Sequence, residues 1–424
     1  MKRALLLVLL AGCATAPAAG SWTPLFNGRD LTGWVNVNCA PSTWTVRDGL
    51  LVCSGRPTGL LRTARRYENF VLELEWMHLK PDGNAGLFVY SDALPVCGQP
   101  FTRAVEVQVM LGDAPDGTYT GQGDIFSIWG ATMEPDRPHP KGWQRCLPSG
   151  RRTKGAGEWN HYRVESRDGR LTLAVNGAVV SGASNCNPRA GYLCLESEGS
   201  EIHFRNLRLQ ELPSTAPASD PVDEGFVPLF NGVNLDGWKK DERHDGHWVP
   251  RDFILDYDGK SGAGDLWSDW EYGDFELIAD WRFPRKPVEI ERPTFGPDGN
   301  QNGTRKVADA GDSGIYLRGS SKSQVNIWCW PCGSGEVYGY RTDAAISAEV
   351  RAGVTPKVNA DNPCGQWNRF RIRMKGDRLT VELNGKLVLD QARLPGVAPR
   401  GRIALQHHGD PVQFANVLVR ELKD

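Results

Sequence analysis

Along most of this chain, apolar and polar positions alternate with a period of two. Phe275, Leu277, Ala279 and Trp281 interleave with Glu276, Ile278, Asp280 and Arg282, the pattern of a strand with one face buried and the other turned outward. The run from Arg378 to Leu383, then Asn384-Gly385, then Lys386 to Leu389 predicts a hairpin, because Asn-Gly takes the positive φ values of a type I′ turn. No segment sustains a helical period, and 48 Gly and 28 Pro punctuate the strands. The pattern predicts an all-β chain built of two-sheet antiparallel sandwiches.

The pattern is written twice. Leu25-Phe26-Asn27-Gly28 with Leu31, Gly33 and Trp34 returns as Leu229-Phe230-Asn231-Gly232 with Leu235, Gly237 and Trp238. Tyr67 to Phe70 returns as Tyr272 to Phe275, Trp159-Asn160 as Trp367-Asn368, Asn176-Gly177 as Asn384-Gly385, and Gly191 to Asn206 as Gly401 to Asn416. Blocks that recur in order mark an internal duplication. Between the copies, Pro213 to Pro221 is rich in Pro, Ser and Ala without apolar period and reads as a linker. The expected domains are residues 21–212 and 226–424, joined by 213–225.

Residues 1–20 carry a different signal. Met1-Lys2-Arg3 precedes an apolar run from Ala4 to Ala11, the build of a secretory leader and too short to span a bilayer. Leu10-Ala11-Gly12-Cys13 matches the bacterial lipobox, so Cys13 is the expected lipidation site and membrane anchor; a plain leader cut near Ala19 is the alternative. Ala14 is not the aspartate associated with inner-membrane retention, which points to an exported lipoprotein of the outer membrane or periplasm. An oxidising compartment would let the nine other cysteines pair. Six lie in the first copy, while Cys329, Cys332 and Cys364 in the second must leave one thiol over. Cys329 and Cys332 have redox spacing, but a strand-like run and Gly333-Ser334-Gly335 flank them, so a structural role is favoured. With a net charge of −2 the chain has no basic field for a phosphate backbone, which argues against nucleic acid as a partner.

Taken together, the LFNG-x-x-L-x-GW motif at Leu25 and Leu229, Gly273 to Leu277, Asp312 to Arg318, Gly365 to Asn368 and Ile403 to Gly409 resemble the 3-keto-disaccharide hydrolase family. The resemblance covers nearly all of residues 21–424, twice over. It implies two tandem concanavalin A-like jelly rolls, a carbohydrate substrate, and cleavage of a glycoside whose C3 hydroxyl is already a ketone. A C3 ketone acidifies the C2 proton, so the reaction needs a base near C2, a donor or cation on the enolate oxygen, and an acid for the leaving group. It does not need the carboxylate pair of ordinary glycosidases, and no strand carries the E-x-D-x-x-E array of a β-glucanase on this fold. A non-catalytic carbohydrate-binding protein and a protein-interaction module are the competing classes.

Sorting strand residues by period two, with Leu277, Ile315, Leu317, Val325, Ile327, Ile403 and Leu405 as core, places Glu276, Tyr316, Arg318, Gln324, Asn326, Trp328, Gln406 and His408 on the opposite face. The first copy sorts to Glu73, Glu75, Phe88, Tyr90, Glu106, Gln108, Glu196 and Glu198, and lacks the second copy's cation and imidazole. The second copy is therefore the expected catalytic one, with His408 or Glu276 as base, Arg318 on the enolate oxygen and Glu336 as acid. Tyr316, Gln324, Asn326, Trp328 and Gln406, with Glu106 and Gln108 of the first copy, are the expected sugar contacts. Asp298, Asn300, Asn302, Gly303 and Asp309 fit a calcium-loop pattern ending in Asp rather than Glu, so calcium is a candidate cofactor and an ordinary exposed loop its competitor. Glu134, Asp136 and His139, in a Pro-rich loop, are a further conceivable metal group.

Overall fold

A computed structural model describes residues 20–113, 121–215, 223–260, 262, 264–296 and 298–423. The lipobox, including Cys13, and most of the linker lie outside the described residues. The described chain folds as two antiparallel β-sandwiches. In the first, a nine-stranded sheet centred on Phe70–His78, Ile202–Glu211 and Asn160–Arg167 faces a seven-stranded sheet. The middle of that second sheet is formed by Ile125–Ile128, Ala104–Gln108, Gly86–Ser91, Tyr192–Ser197 and Gly59–Thr63. In the second sandwich, an eight-stranded sheet centred on Val412–Glu421, Phe275–Arg282 and Asn368–Lys375 faces a four-stranded sheet of Leu266–Tyr272, Gly401–Leu405, Asp312–Leu317 and Ser320–Trp328.

The alternating apolar residues fill the space between sheets. Leu72, Leu74 and Trp76 meet Leu87, Val89, Val105 and Val107 in the first core; Leu277, Phe370 and Ile372 share the second with Ile315, Leu317, Val325, Ile403 and Leu405. Each such side chain contributes about 1.5–3 kcal/mol by leaving water. The expected hairpin forms, with Leu383 opposite Lys386 and positive φ at both Asn384 (52°) and Gly385 (74°).

Over its central strands the outer face of the eight-stranded sheet is covered rather than solvated, and this explains why Ile278 breaks the alternation there. Ile278 packs with Leu418 and Phe226, and Leu94 of the first domain covers them. The loop around Leu94 continues across the sheet. Gly98 N donates to Asp280 Oδ2 at 2.8 Å, and Asn416 Nδ2 donates to Gln99 O at 2.8 Å. A side chain at residue 98 would start 2.1 Å from the Trp367 ring, at a φ of +69°, so only glycine lets the backbone lie this close. Thr58 N donates to Asp252 Oδ1 at 2.7 Å as a second bridge between domains. Two insertions distinguish the second sandwich: a hairpin, Val288–Phe295 and Gln301–Asp309, and two short helices, Tyr338–Arg341 and Ala348–Gly353.

Candidate functional site

Strand registers align the two sandwiches residue by residue. Gly86 lies opposite Gln108 and Phe88 opposite Glu106, as Gly314 lies opposite Asn326 and Tyr316 opposite Gln324. Leu195 lies opposite Leu87 as Leu405 lies opposite Ile315. The off-core face thus carries Asn84, Phe88, Glu106, Gln108, Glu196 and Glu198 in the first domain, and Asp312, Tyr316, Gln324, Asn326, Gln406 and His408 in the second.

In the second domain Gln324, Gln406 and Tyr316 form one network. Gln324 Nε2 donates to Gln406 Oε1 at 2.6 Å and to Ser313 O at 3.2 Å. Gly314 makes this possible, because a Cβ there would lie 2.2 Å from Gln324 Nε2. The Tyr316 hydroxyl bonds Gln406, and burial with Asp265 nearby pushes the phenol up to about 12. Asp312 opens the strand Asp312–Leu317. Burial lifts its carboxyl to about 6 against the pull of the neighbouring His408, with Asp410 adding to the rise. Asp410 also accepts from Asp312 N at 3.0 Å and pairs with Arg285 at 2.7 Å. His408 stands exposed at the rim. Asp312 was not singled out from the sequence; its signal was its place two residues before Gly314, where the strand alternation continues to the same face.

Beside this network the inserted hairpin and helices build a wall. Trp328 stacks on Trp330 at 4.1 Å, Trp330 on Phe295 at 6.1 Å, and Arg341 lies 3.9 Å above Phe295 while pairing with Glu336. Asn326 N donates to Glu336 O at 2.9 Å, so Glu336 borders the sheet, but its carboxyl is fully enclosed. Trp328 is likewise buried, its indole N–H donating to Gly333 O at 2.7 Å. The expected roles of Glu336 as free acid and Trp328 as sugar platform are therefore corrected: the Glu336 carboxyl is enclosed against Arg341, and Trp328, on the same face opposite Asp312, is buried with its ring taken up by the stack on Trp330.

Two further expectations are corrected by strand geometry. Glu276 points away from the core, as the alternation requires, but its strand belongs to the eight-stranded sheet. It faces the domain interface, paired with Arg420 and within 3.8 Å of Arg371 and 3.6 Å of Arg373. Glu73 and Glu75 of the first domain lie on the matching outer sheet, bound to Arg163 and Arg205. Arg318 fails for another reason. The register shifts after Tyr316 and Arg318 has a φ of +50°, which swings its side chain out of the strand alternation. Its guanidinium is held by Gly273 O, Gly376 O, Ala398 O and Asp274 Oδ1 at 2.6–3.1 Å. Tyr90, its counterpart at a φ of +57°, likewise turns inward to Ser166 at 2.6 Å.

The expected calcium ligands do not converge. Asp298 accepts from Asn300 at 2.8 Å at the hairpin tip, Asn300 accepts from Arg351 and Asn302 from Thr294. Asp309 sits at the far end of the strand Gln301–Asp309, buried against Arg292 at 2.6 Å. Asp309 lies seven positions beyond Asn302 along an extended strand, about 23 Å at the rise of a strand. Glu134, Asp136 and His139 also diverge, to Asn185, to Arg170 and to a stack on Trp143.

The first domain holds a hollow of about 410 Å³ lined by Asn84, Glu106, Phe126, Trp129, Glu196 and Glu198 among others. Gln108 Nε2 donates to Asn84 Oδ1 at 2.6 Å, and the Asn84 amide donates to Glu198. Glu106 and Glu196 are almost wholly buried. Burial pushes both carboxyls well above the usual carboxylate range, and each is raised further by acidic neighbours. The expectation that this face lacks a cation is corrected by Arg145, which reaches it from the edge strand Arg145–Cys146, over the Phe126 ring at 3.6 Å and on Asp124 at 2.8 Å. Arg145 and Trp129 lie outside the motifs and were not legible; only their pairing with Ile125–Ile128 and its turn brings them here.

Two tandem jelly rolls, each with a polar and aromatic face opposite its core, define the class of the protein. The chain belongs to the 3-keto-alpha-glucoside-1,2-lyase-like domain family, whose profile matches residues 21–210 and again 225–420. A 3-keto-disaccharide hydrolase from Bacteroides thetaiotaomicron is 26% identical over 243 residues, covering 46% of this chain and 79% of that protein. Among solved structures, a protein assigned as a glycosyl hydrolase from Parabacteroides distasonis is similar at a TM-score of 0.37 and 22% identity, over 46% of this chain and 94% of that one. The Bacillus licheniformis β-glucanase is similar at a TM-score of 0.30 and 12% identity, over 47% and 100% of the two chains.

Proposed function

We propose that this chain cleaves glycosides bearing a ketone at C3, and that the second domain's off-core face is where it does so. The observation that carries the reading is Asp312, a carboxyl raised to about 6 beside His408, next to the Tyr316, Gln406 and Asn326 donors. Asp312 takes the C2 proton, the C–H electrons form the enolate, and the C1–O bond breaks with its electrons leaving on the aglycone oxygen. Tyr316 and the amides stabilise the enolate oxygen, His408 protonates the leaving oxygen, and water then adds to the unsaturated sugar. The test is a 3-keto-glucoside incubated with purified protein in D2O. Aglycone release with deuterium at C2, both lost in Asp312→Asn, supports the reading; glycan binding with neither signal would make this a binding protein instead.

We further propose that the mature chain is exported and lipid-anchored through Cys13. Cys13→Ala should then move the protein from the membrane to the soluble fraction.

A further inference from the structure

Resting on the reading that the off-core faces hold sugar, we propose that the hollow of the first domain is a second, proton-dependent saccharide site. In it Glu106 and Glu196 take the place that Gln324 and Gln406 hold in the second domain, an uncharged sugar ring lying on Trp129.

Four observations support this. Glu106 and Glu196 converge on Gly86: a Cβ there would lie 2.6 Å from Glu106 Oε1 and 2.8 Å from Glu196 Oε2. In the second domain the equivalent Gly314 admits a pair of amides that hydrogen-bond each other directly. Two carboxylates cannot reproduce that bond, but a carboxylic acid and its neighbour can, with a proton doing the work of the amide hydrogens. Glu196 Oε2 is buried and receives no hydrogen from any donor outside the acidic group it forms with Glu198, in a residue 2% exposed, and it belongs to the lining of the hollow. Such an oxygen costs free energy until a donor reaches it. Finally, Trp129 is 45% exposed at a φ of +52°, an aromatic surface held out at the mouth of the same hollow.

The charged and titratable groups around the pair all bear on its proton. Glu198, tied to Asn84, disfavours a second and third negative charge, and Cys53 adds slightly to the effect on Glu196. Asp252 acts in the same sense on Glu198, while Arg145 opposes it at Glu106 but is itself paired with Asp124. An acid whose proton is favoured in the folded protein stays neutral at mildly acidic pH and ionises as pH rises. Ionisation would remove the donor and bring repulsion between carboxylates, so sugar binding should weaken with increasing pH, and anionic sugars should be refused throughout.

The experiment uses the full chain carrying Asp312→Asn, so that turnover does not consume the ligand, with cellobiose and its 3-keto derivative as probes in calorimetric titrations from pH 5 to 9. Two sites per chain are expected, one of them at least about tenfold weaker at pH 9 than at pH 5, the change that a one-unit difference in pKa between the free and sugar-bound forms produces. Trp129→Ala should abolish that site. Glu106→Gln with Glu196→Gln should keep it and remove its pH dependence, since the second domain folds with that pair. Binding lost only in Tyr316→Ala and untouched by Trp129→Ala would overturn this inference while leaving the sugar-face reading intact; no binding at either site would sink that reading itself. Equal affinity at pH 5 and 9, or preference for glucosamine over the neutral probes, would also overturn the inference.

Discussion

Gln324 donates to Gln406 at 2.6 Å at the two positions that Glu106 and Glu196 occupy in the first domain. One duplicated frame therefore holds a neutral amide pair in one copy and an acid pair in the other, and the difference should be measurable in the stability of the whole protein. The folded-state carboxyls are raised, so the folded protein binds more protons than the unfolded chain above the unfolded value of about 4.3. Stability from this pair is present below that pH and lost as pH rises. Chemical denaturation should show the Glu106→Gln, Glu196→Gln protein gaining on the parent between pH 5 and 8. Parallel curves for the two proteins would refute it.

Asp312 supplies a second pH signature. As a base it must be ionised, so kcat/KM for a 3-keto-glucoside should rise through about pH 6 on the limb that reports Asp312, and fall again at higher pH once the leaving-group acid has lost its proton. In Asp312→Asn the remaining rate should be lower by about a hundredfold or more and should no longer show that rise.

Arg318 ties strands and turns together rather than facing the sugar. Three carbonyls and Asp274 hold its guanidinium in a site that leaves the side chain about 1% exposed. Arg318→Ala should cost about 3–5 kcal/mol in urea unfolding, because it strands a carboxylate and three acceptors. Substrate KM measured on the folded fraction should not change.

Cys329 and Cys364 bring their sulfurs to 3.6 Å, leaving Cys332 as the thiol without a mate among the three. Oxidation removes two hydrogens and joins residues at either end of the segment that carries Glu336 and Arg341. Non-reducing peptide mapping of exported protein should find Cys329 linked to Cys364 and Cys332 open to alkylation. A Cys329–Cys332 link would show that redox spacing outweighs proximity.

Much of the architecture was legible before any coordinates. Repeated blocks announced two copies, and alternation identified the core: Leu277, Ile315, Val325 and Leu405 are all buried between sheets. The Asn384-Gly385 turn follows from local backbone preference alone. What alternation could not convey is which sheet a strand joins, and hence which side of the sandwich its outward residues face. Glu276 and Gln406 have the same pattern around them yet lie on opposite faces, because strand pairing is set by contacts far apart in sequence.

Local readings also miss residues that leave the alternation. Arg318 departs through a left-handed backbone at a register shift, and Arg145 arrives at the first hollow by tertiary packing. The period of two, the turns and the duplication are properties of neighbouring residues, so the amino-acid order by itself determined the two sandwiches and their cores. The meeting of Asp312 with His408, the convergence of Glu106 on Glu196 and the seating of Gly98 against Trp367 were decided only by the tertiary structure, since each joins strands or loops that only folding brings together.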